Sequence, residues 1–415
     1  MLGLGEVTAG GVGIIVGAGI YVLLGPATVH AGALVWVAFL IAALLSALTG
    51  LSYAELSSMF PSAAGEYEYT RHAMPEWVAF VVGCTMIAGL VVAAATVSIG
   101  FARYLGYFVD LHPRFASLGL LVAVSGVAMT GVKQSARLTM GLSAVQVGGL
   151  VLVTAIGVPH VGDVDLLRGP GLGGVLAGAA LVFFAFIGFD EVITLAEETR
   201  EPTRTVPRAL LLALGLSTAL YVAVAIAAVS VLGPAPLAAS TRPLADVMAH
   251  VLGARGAIVV AAIAVVTTTN TTLLALTAAS RVMYGMAKAA ALPRAFSIVH
   301  RTRRTPIRAI GVVAIVAAAV AAFGDFVFIA AVTDFAVYVV FLAVNATVII
   351  LRQTRPELPR PFAVRWTMLG IPVLPALGLG AVGVMMTLLE SGVIAVGMAA
   401  CGGGLVASRL ARGHR

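Results

Sequence analysis

A helix needs about twenty consecutive apolar residues to cross the roughly 30 Å hydrocarbon core of a bilayer. This chain supplies such stretches almost end to end. They fall at roughly 7–28, 32–59, 76–104, 115–131, 138–158, 173–196, 207–232, 256–287, 309–323, 326–351, 367–389 and 391–408, twelve in all. Some neighbours are joined by no more than Gly324-Asp325 or Glu390-Ser391, which marks tight helical hairpins. In lipid every backbone N–H and C=O must be paired inside the span itself. The fold class expected is therefore an all-α polytopic membrane protein with 12 transmembrane helices. Charged residues make up only 10% of the chain, against about 25% in soluble domains. The first thirty residues lack the basic region of a secretion signal, and more apolar sequence follows at once.

Charge gives the orientation. With both ends in the cytoplasm, the alternate connections on that side carry 20 of the 25 Lys and Arg residues, and the opposite side carries 5. That asymmetry obeys the positive-inside rule. The net charge of +7 thus reports membrane orientation and is not the footprint of a nucleic-acid partner. The expected location is the cell membrane, multi-pass, with both termini cytoplasmic. No soluble domain interrupts the spans; the longest polar connections are 55–75, 159–172, 233–254 and 287–308. Residues 242–253 have the spacing of a short external helix. The basic stretch 300–308 reads as a cytoplasmic loop, with attraction to anionic lipid as the alternative. Cys84 and Cys401 lie in apolar surroundings and read as packing residues rather than a disulfide.

The first span, "GVGIIVGAGIYVLLG" at 11–25, has five glycines among its fifteen residues. Each disfavours a helix by roughly 1 kcal/mol relative to Ala. Non-helical backbone at membrane depth is tolerated only where it lines a cavity. A break at Gly17-Ala18-Gly19 exposes N–H groups that attract an anion, while the carbonyls around Ile14 and Ile15 attract a cation. A zwitterion such as an amino acid matches both. The same glycines also suit close helix packing, so this segment alone does not decide the matter. The sixth span, "FFAFIGFDEVITLAEETREP" at 183–202, carries Asp190 and Glu191 in apolar surroundings, where a carboxylate is functional by default. Gly188 lies at a comparable depth. Two interrupted segments at matching places in two sets of five spans point to an inverted-repeat transporter with a midplane site.

The motifs "GVGIIVGAGIYVLLG", "YAELSSMFPSAAGEYEYTRHAMPEW", "FFAFIGFDEVITLAEETREPTRTVPRAL", "ASRVMYGMAKAAALP" and "RPELPRPF", in that order, resemble those of the amino acid–polyamine–organocation superfamily. The likeness is to bacterial amino-acid permeases related to the cationic amino-acid transporters. It implies a 5+5 inverted-repeat, LeuT-like core with broken helices 1 and 6, plus two C-terminal helices. The first repeat would span 1–158 and the second 173–351. The two further helices would lie in 367–408, followed by a cytoplasmic tail at 409–415. It also implies alternating access with an amino acid as substrate. By the same resemblance, the backbone N–H groups of Gly17, Ala18 and Gly19 would hold the substrate carboxylate. The carbonyls of Ile15, Phe184, Ala185 and Ile187 would take the ammonium. Phe184 falls where relatives place an aromatic that closes the site, although Phe183, Phe184 and Phe186 also suit core or lipid packing.

The sequence departs from proton-coupled relatives, which carry a lysine in span five where Gln146 aligns here. Three coupling modes stay open: a proton on Asp190 or Glu191, a sodium ion, or exchange without coupling. "TTTNTT" at 267–272 offers Thr268, Thr269 and Asn270 to an ion or substrate, or to interhelical hydrogen bonds. Asp334 in span ten is a further intramembrane acid, or a solvated span-end residue. An enzyme is not expected. The seven histidines sit near span ends or in connections, no HExxH or CxxC occurs, and "GVGIIVGAG" lacks the strand context and acidic ribose ligand of a nucleotide loop. No cofactor or metal is implied beyond a coupling proton or sodium ion. Side-chain specificity and the choice between monomer and homo-oligomer remain open.

Overall fold

The structure is a computed structural model and describes residues 2–60, 65–131, 136–300, 303, 305–368 and 370–413. Parts of three sequence features therefore lie outside the described residues: 61–64 of the "YAELSSMFPSAAG" motif, 132–135 of "GVKQSAR", and 301, 302 and 304 of the basic loop. The tail is described only as helix backbone to Gly413.

Helices dominate. In chain order they are α1 (Leu4–Ile15), α2 (Gly19–Ala31), α3 (Val35–Met59), α4 (Gly65–Ala73), α5 (Glu76–Leu105), α6 (Pro113–Thr130) and α7 (Ala136–Gly157). They continue as α8 (Leu172–Val182), α9 (Pro202–Leu232), α10 (Pro234–Ala239), α11 (Pro243–Lys288), α12 (Ile307–Phe323), α13 (Phe326–Thr354), α14 (Val373–Thr387) and α15 (Ser391–Gly413). Among the described residues, eight helices are long and apolar enough to cross a bilayer, or nine if the sharply bent pair α14–α15 forms one span. Twelve were expected. The difference has local causes. The first span divides into α1, only 12 residues long, and α2, which runs on into α3 through a single turn at Gly32. α12 has 17 residues, short of a full crossing. The eleventh segment does not begin as helix at 367. Thr367–Met368 pairs with Ile371–Pro372 in a two-residue hairpin, and helix starts only at Val373.

The external helix expected at 242–253 is present as the first turns of α11, which bends at Gly253. Large apolar side chains such as Phe115, Val122, Ile315 and Phe323 stand exposed on the outer helices. Inside lipid such exposure carries little cost, because the tails are as apolar as the side chains, and close packing holds helices together instead. An aromatic cluster occupies the interior: Tyr53 meets Phe189 and Phe341 edge-on at 5.6 and 5.7 Å, and Phe183 lies 4.7 Å from Tyr338.

α3 and α13 are joined by polar contacts at two levels. Asn345 donates to the Thr49 hydroxyl at 2.9 Å and accepts from Ser52 at 2.7 Å. One end lower, Glu55 is almost fully buried and receives a two-pronged guanidinium from Arg352, with Nε at 2.9 Å. The Val364 N–H donates to the same carboxylate at 2.8 Å. This explains why "YAELSS" and the stretch around "RPELPRPF" stood out together: they are two sides of one buried lock. Cys84 and Cys401 are free thiols.

Candidate functional site: a cavity where two helices break

The break in the first span is formed by Val16, whose ψ of 64° leaves the helical region, and helix resumes at Gly19. In the sixth span α8 ends at Val182 and a tight 3₁₀ turn carries Phe183–Phe186. Ile187 is then extended, with ψ 135°, and Gly188 takes φ +113°. That φ favours glycine, which lacks the Cβ that strains other residues there. The two breaks face each other. A Cβ on Gly188 would sit 3.3 Å from the Ile14 side chain, and one on Gly19 would sit 2.4 Å from the Ala185 Cα.

Between them lies a cavity of about 60 Å³. Its wall includes Ile15, Gly17, Ala18 and Gly19 from the first break, and Phe184, Ala185, Ile187, Gly188 and Glu191 from the second. Leu90, Ala93 and Val97 of α5 and Asn270, Thr271, Leu274 and Ala275 of α11 complete it. All seven residues named from sequence as substrate contacts thus lie on one cavity. Of the three neighbouring phenylalanines only Phe184 reaches it. Phe183 packs on Phe341 and Tyr338, and Phe186 packs 5.2 Å from Tyr221.

The backbone groups are partly engaged already. Gly17 N–H donates to the Ile15 carbonyl at 2.7 Å, and Ala18 N–H donates to the Thr271 hydroxyl at 3.2 Å. Gly19 opens α2, and the first N–H groups of a helix have no carbonyl partner within it. On the opposite side, the Tyr221 hydroxyl lies 2.7 Å from the Ile15 carbonyl and 2.9 Å from that of Ala185, so its one proton is shared between the two breaks. Sequence reasoning missed Tyr221. Nothing in an apolar stretch of α9 distinguishes a tyrosine that bridges from one that merely packs.

The polar residues of α11 need a correction. Thr268 and Thr269 turn their hydroxyls back onto the Ala264 and Val265 carbonyls at 2.7 Å, and neither lines the cavity. Thr271 and Asn270 do. Helical spacing explains the choice, since 270, 271, 274 and 275 share one face. Gln146 is buried against the first span, where its backbone carbonyl accepts from Tyr21 at 3.1 Å; both polar atoms of its side chain lack a partner among the described residues. Asp334 is no solvated span end. It is fully buried within α13, and neither carboxylate oxygen has a hydrogen-bond partner among the described residues.

The two adjacent acids face different ways. Glu191 borders the cavity, whereas Asp190 does not and accepts the Gly188 N–H at 3.0 Å. Beyond Asp190 stands Glu66 of α4, a residue not singled out from the sequence. It is buried and accepts the Tyr53 hydroxyl at 3.0 Å. Burial first, and the nearby Asp190 charge second, push its carboxyl up to about 7. Among the described residues no cluster of side chains suited to a metal ion is present.

The family model described as "Amino acid permease" matches residues 2–399. An uncharacterized transporter of Mycobacterium tuberculosis is 33% identical over 96% of this chain and 90% of its own length. The branched-chain amino acid permease BcaP of Bacillus subtilis is 30% identical, covering 91% of this chain and 85% of that one. A vacuolar cationic amino acid transporter of Arabidopsis thaliana is 29% identical over 85% of this chain and 63% of its own. The family and these relatives are transporters and not enzymes. With a match from end to end and two broken helices meeting at a cavity, this multi-pass membrane protein belongs to the amino acid permease family, within the amino acid–polyamine–organocation superfamily.

Proposed function

We propose that the chain is a secondary carrier of small or medium neutral L-amino acids, working by alternating access in the cell membrane with both termini cytoplasmic. Twelve crossings arranged as a five-plus-five inverted repeat with two further helices would place the cavity at the bilayer midplane. The observation that carries this reading is the convergence of both helix breaks on one cavity. The N–H groups opening α2 at Gly19 suit a carboxylate. The Ile15, Ala185 and Ile187 carbonyls suit an α-ammonium, which would take over or share the acceptor sites Tyr221 now occupies.

Leu90, Ala93, Val97, Leu274 and Ala275 make the remaining wall apolar, which favours a neutral side chain. Glu191 on the same wall favours a second reading, a cationic amino acid. A proton is the coupling ion favoured by the buried acids Asp190 and Asp334 and the cavity-lining Glu191. Thr268 and Thr269 donate their protons to carbonyls of their own helix, which leaves their oxygen lone pairs able to accept a cation, so a sodium gradient is tested beside a proton gradient. Uptake into proteoliposomes over an amino-acid panel, with proton and sodium gradients imposed separately, tests the proposal. Concentrative uptake of neutral amino acids driven by an inward proton gradient is expected. Competition by putrescine but by no free amino acid would overturn the substrate, and binding without flux would make the protein a sensor.

A further inference from the structure

The cavity between the two breaks is small. A buried water needs roughly 10–15 Å³, so the cavity of about 60 Å³ holds about four to six water-sized groups. Pockets that take drug-sized ligands run to about 300–1,000 Å³. Glycine and alanine match the observed size, whereas valine, leucine and isoleucine exceed it. The boundaries leave little room for growth. The breaks themselves touch, since a Cβ on Gly19 would lie 2.4 Å from the Ala185 Cα. The remaining wall comes from α5, where Leu90, Ala93 and Val97 share one helix face, and from α11, where Leu274 and Ala275 lie side by side. These two helices pack along each other, so closely that a Cβ on Gly83 of α5 would meet the Met286 sulfur of α11 at 2.6 Å. A close-packed pair of that kind resists spreading to admit a larger guest.

We propose that Leu90 and Val97 of α5 and Leu274 of α11 determine specificity by size, and that they confine the site to glycine and alanine. This names the substrate of the proposed carrier and rests on that reading. The backbone groups of the two breaks take the carboxylate and the ammonium, which leaves the substrate side chain to the apolar wall. A hydrogen atom or a methyl group fits there. An isopropyl or isobutyl group runs into Leu90, Val97 or Leu274.

Size also decides against the cationic reading. Glu191 puts a carboxyl group on the cavity wall, but a charge does not make space. Lysine and arginine carry their charge at the end of a long alkyl stem, and that stem needs a channel running on from the cavity. Phe184, Leu90 and Leu274 stand on the wall instead.

The unfolding temperature of the purified full-length chain, titrated with glycine, alanine, valine, leucine and lysine in turn, yields a dissociation constant for each. One surplus methylene in an apolar pocket is worth roughly 10–200-fold. Alanine should therefore bind at least about 10-fold more tightly than valine, leucine or lysine. Leu90→Ala enlarges the cavity and should shift the alanine-to-leucine ratio by about 10-fold or more in favour of leucine. Val97→Ala should shift the alanine-to-valine ratio the same way. The ratio is the readout because a variant that is merely destabilised weakens every ligand alike, and the wild-type ratios decide the matter where a variant does not fold. Leucine or lysine binding the wild type as tightly as alanine, or ratios that neither variant moves, would overturn the proposal. Leucine matching alanine would leave the carrier reading standing, whereas a chain that no amino acid stabilises would sink that reading as well, so the two failures are distinguishable.

Discussion

A methyl group added at Gly19 would lie 2.4 Å from the Cα of Ala185, well inside the 3.5–4.0 Å at which carbon atoms pack favourably. Glycine is required there because two backbones touch. Gly19→Ala should cost about 1–3 kcal/mol, as overpacking does, visible as a lowered unfolding temperature as well as lost binding. Gly17 is the cleaner probe of the ligand site. Its Cβ would meet the Thr271 side chain, with the hydroxyl nearest at 3.2 Å, and no backbone atom nearer than the Ile14 carbonyl at 3.8 Å, so Gly17→Ala should keep the fold and weaken amino-acid binding; unchanged affinity would remove this backbone from the site. Tyr221→Phe leaves the Ile15 and Ala185 carbonyls without their shared donor, at a cost of about 1–3 kcal/mol for buried polar groups. A thermal melt in the absence of substrate checks it, and a smaller loss when amino acid is bound would show the ammonium taking the hydroxyl's place.

Where helices break was legible from two segments taken together, because glycines in an apolar run also suit close packing while carboxylates in a span have few other uses. Which residues the neighbouring helices present was not. In "TTTNTT" every position is polar, so composition is silent on facing. Back-bonding removed Thr268 and Thr269 from the cavity, and α11's rotation brought Thr271 to it. Glu66 was missed for a related reason. It sits in a polar connection of ordinary composition, and only the docking of α4 on α5 and α13 buries it. The Glu55–Arg352 lock is a prediction at this scale. Removing the cation by Arg352→Met leaves the buried carboxylate with the Val364 N–H and the more distant Arg360 guanidinium at 3.6 Å, and breaking a buried pair costs about 3–5 kcal/mol. Replacing both partners, Glu55→Gln with Arg352→Met, should recover much of the loss in a double-mutant cycle; strict additivity would show that the pair does not join α3 to α13.

At the scale of the whole molecule, one short stretch, Ile187 to Glu191, carries both cavity-lining residues and the two adjacent acids of the sixth segment. Ile187, Gly188 and Glu191 border the cavity, and Asp190, off the cavity, accepts the Gly188 N–H. Any shift of this stretch at the cavity therefore also moves Asp190, which gives a ligand bound there and a proton on that carboxylate a physical means to influence each other. The sign with pH follows from Glu66. Its carboxyl rises from the usual 4.5 to about 7 in the folded protein, so the folded state retains a proton that the unfolded chain has released. The stability contributed by neutral Glu66 is greatest at low pH, declines as pH rises from about 4.5, and is gone above about 7. The unfolding temperature of the wild type minus that of Glu66→Gln should therefore fall between pH 5 and pH 7 and level off beyond. Coupling is tested at Asp190. With Asp190→Asn the titratable group is removed, so amino-acid exchange across a vesicle membrane should persist while accumulation against a gradient, driven by an inward proton gradient, is lost. A mutant that still accumulates substrate would separate Asp190 from coupling and pass the role to Glu191 or Asp334, the other acids buried beside or within the spans.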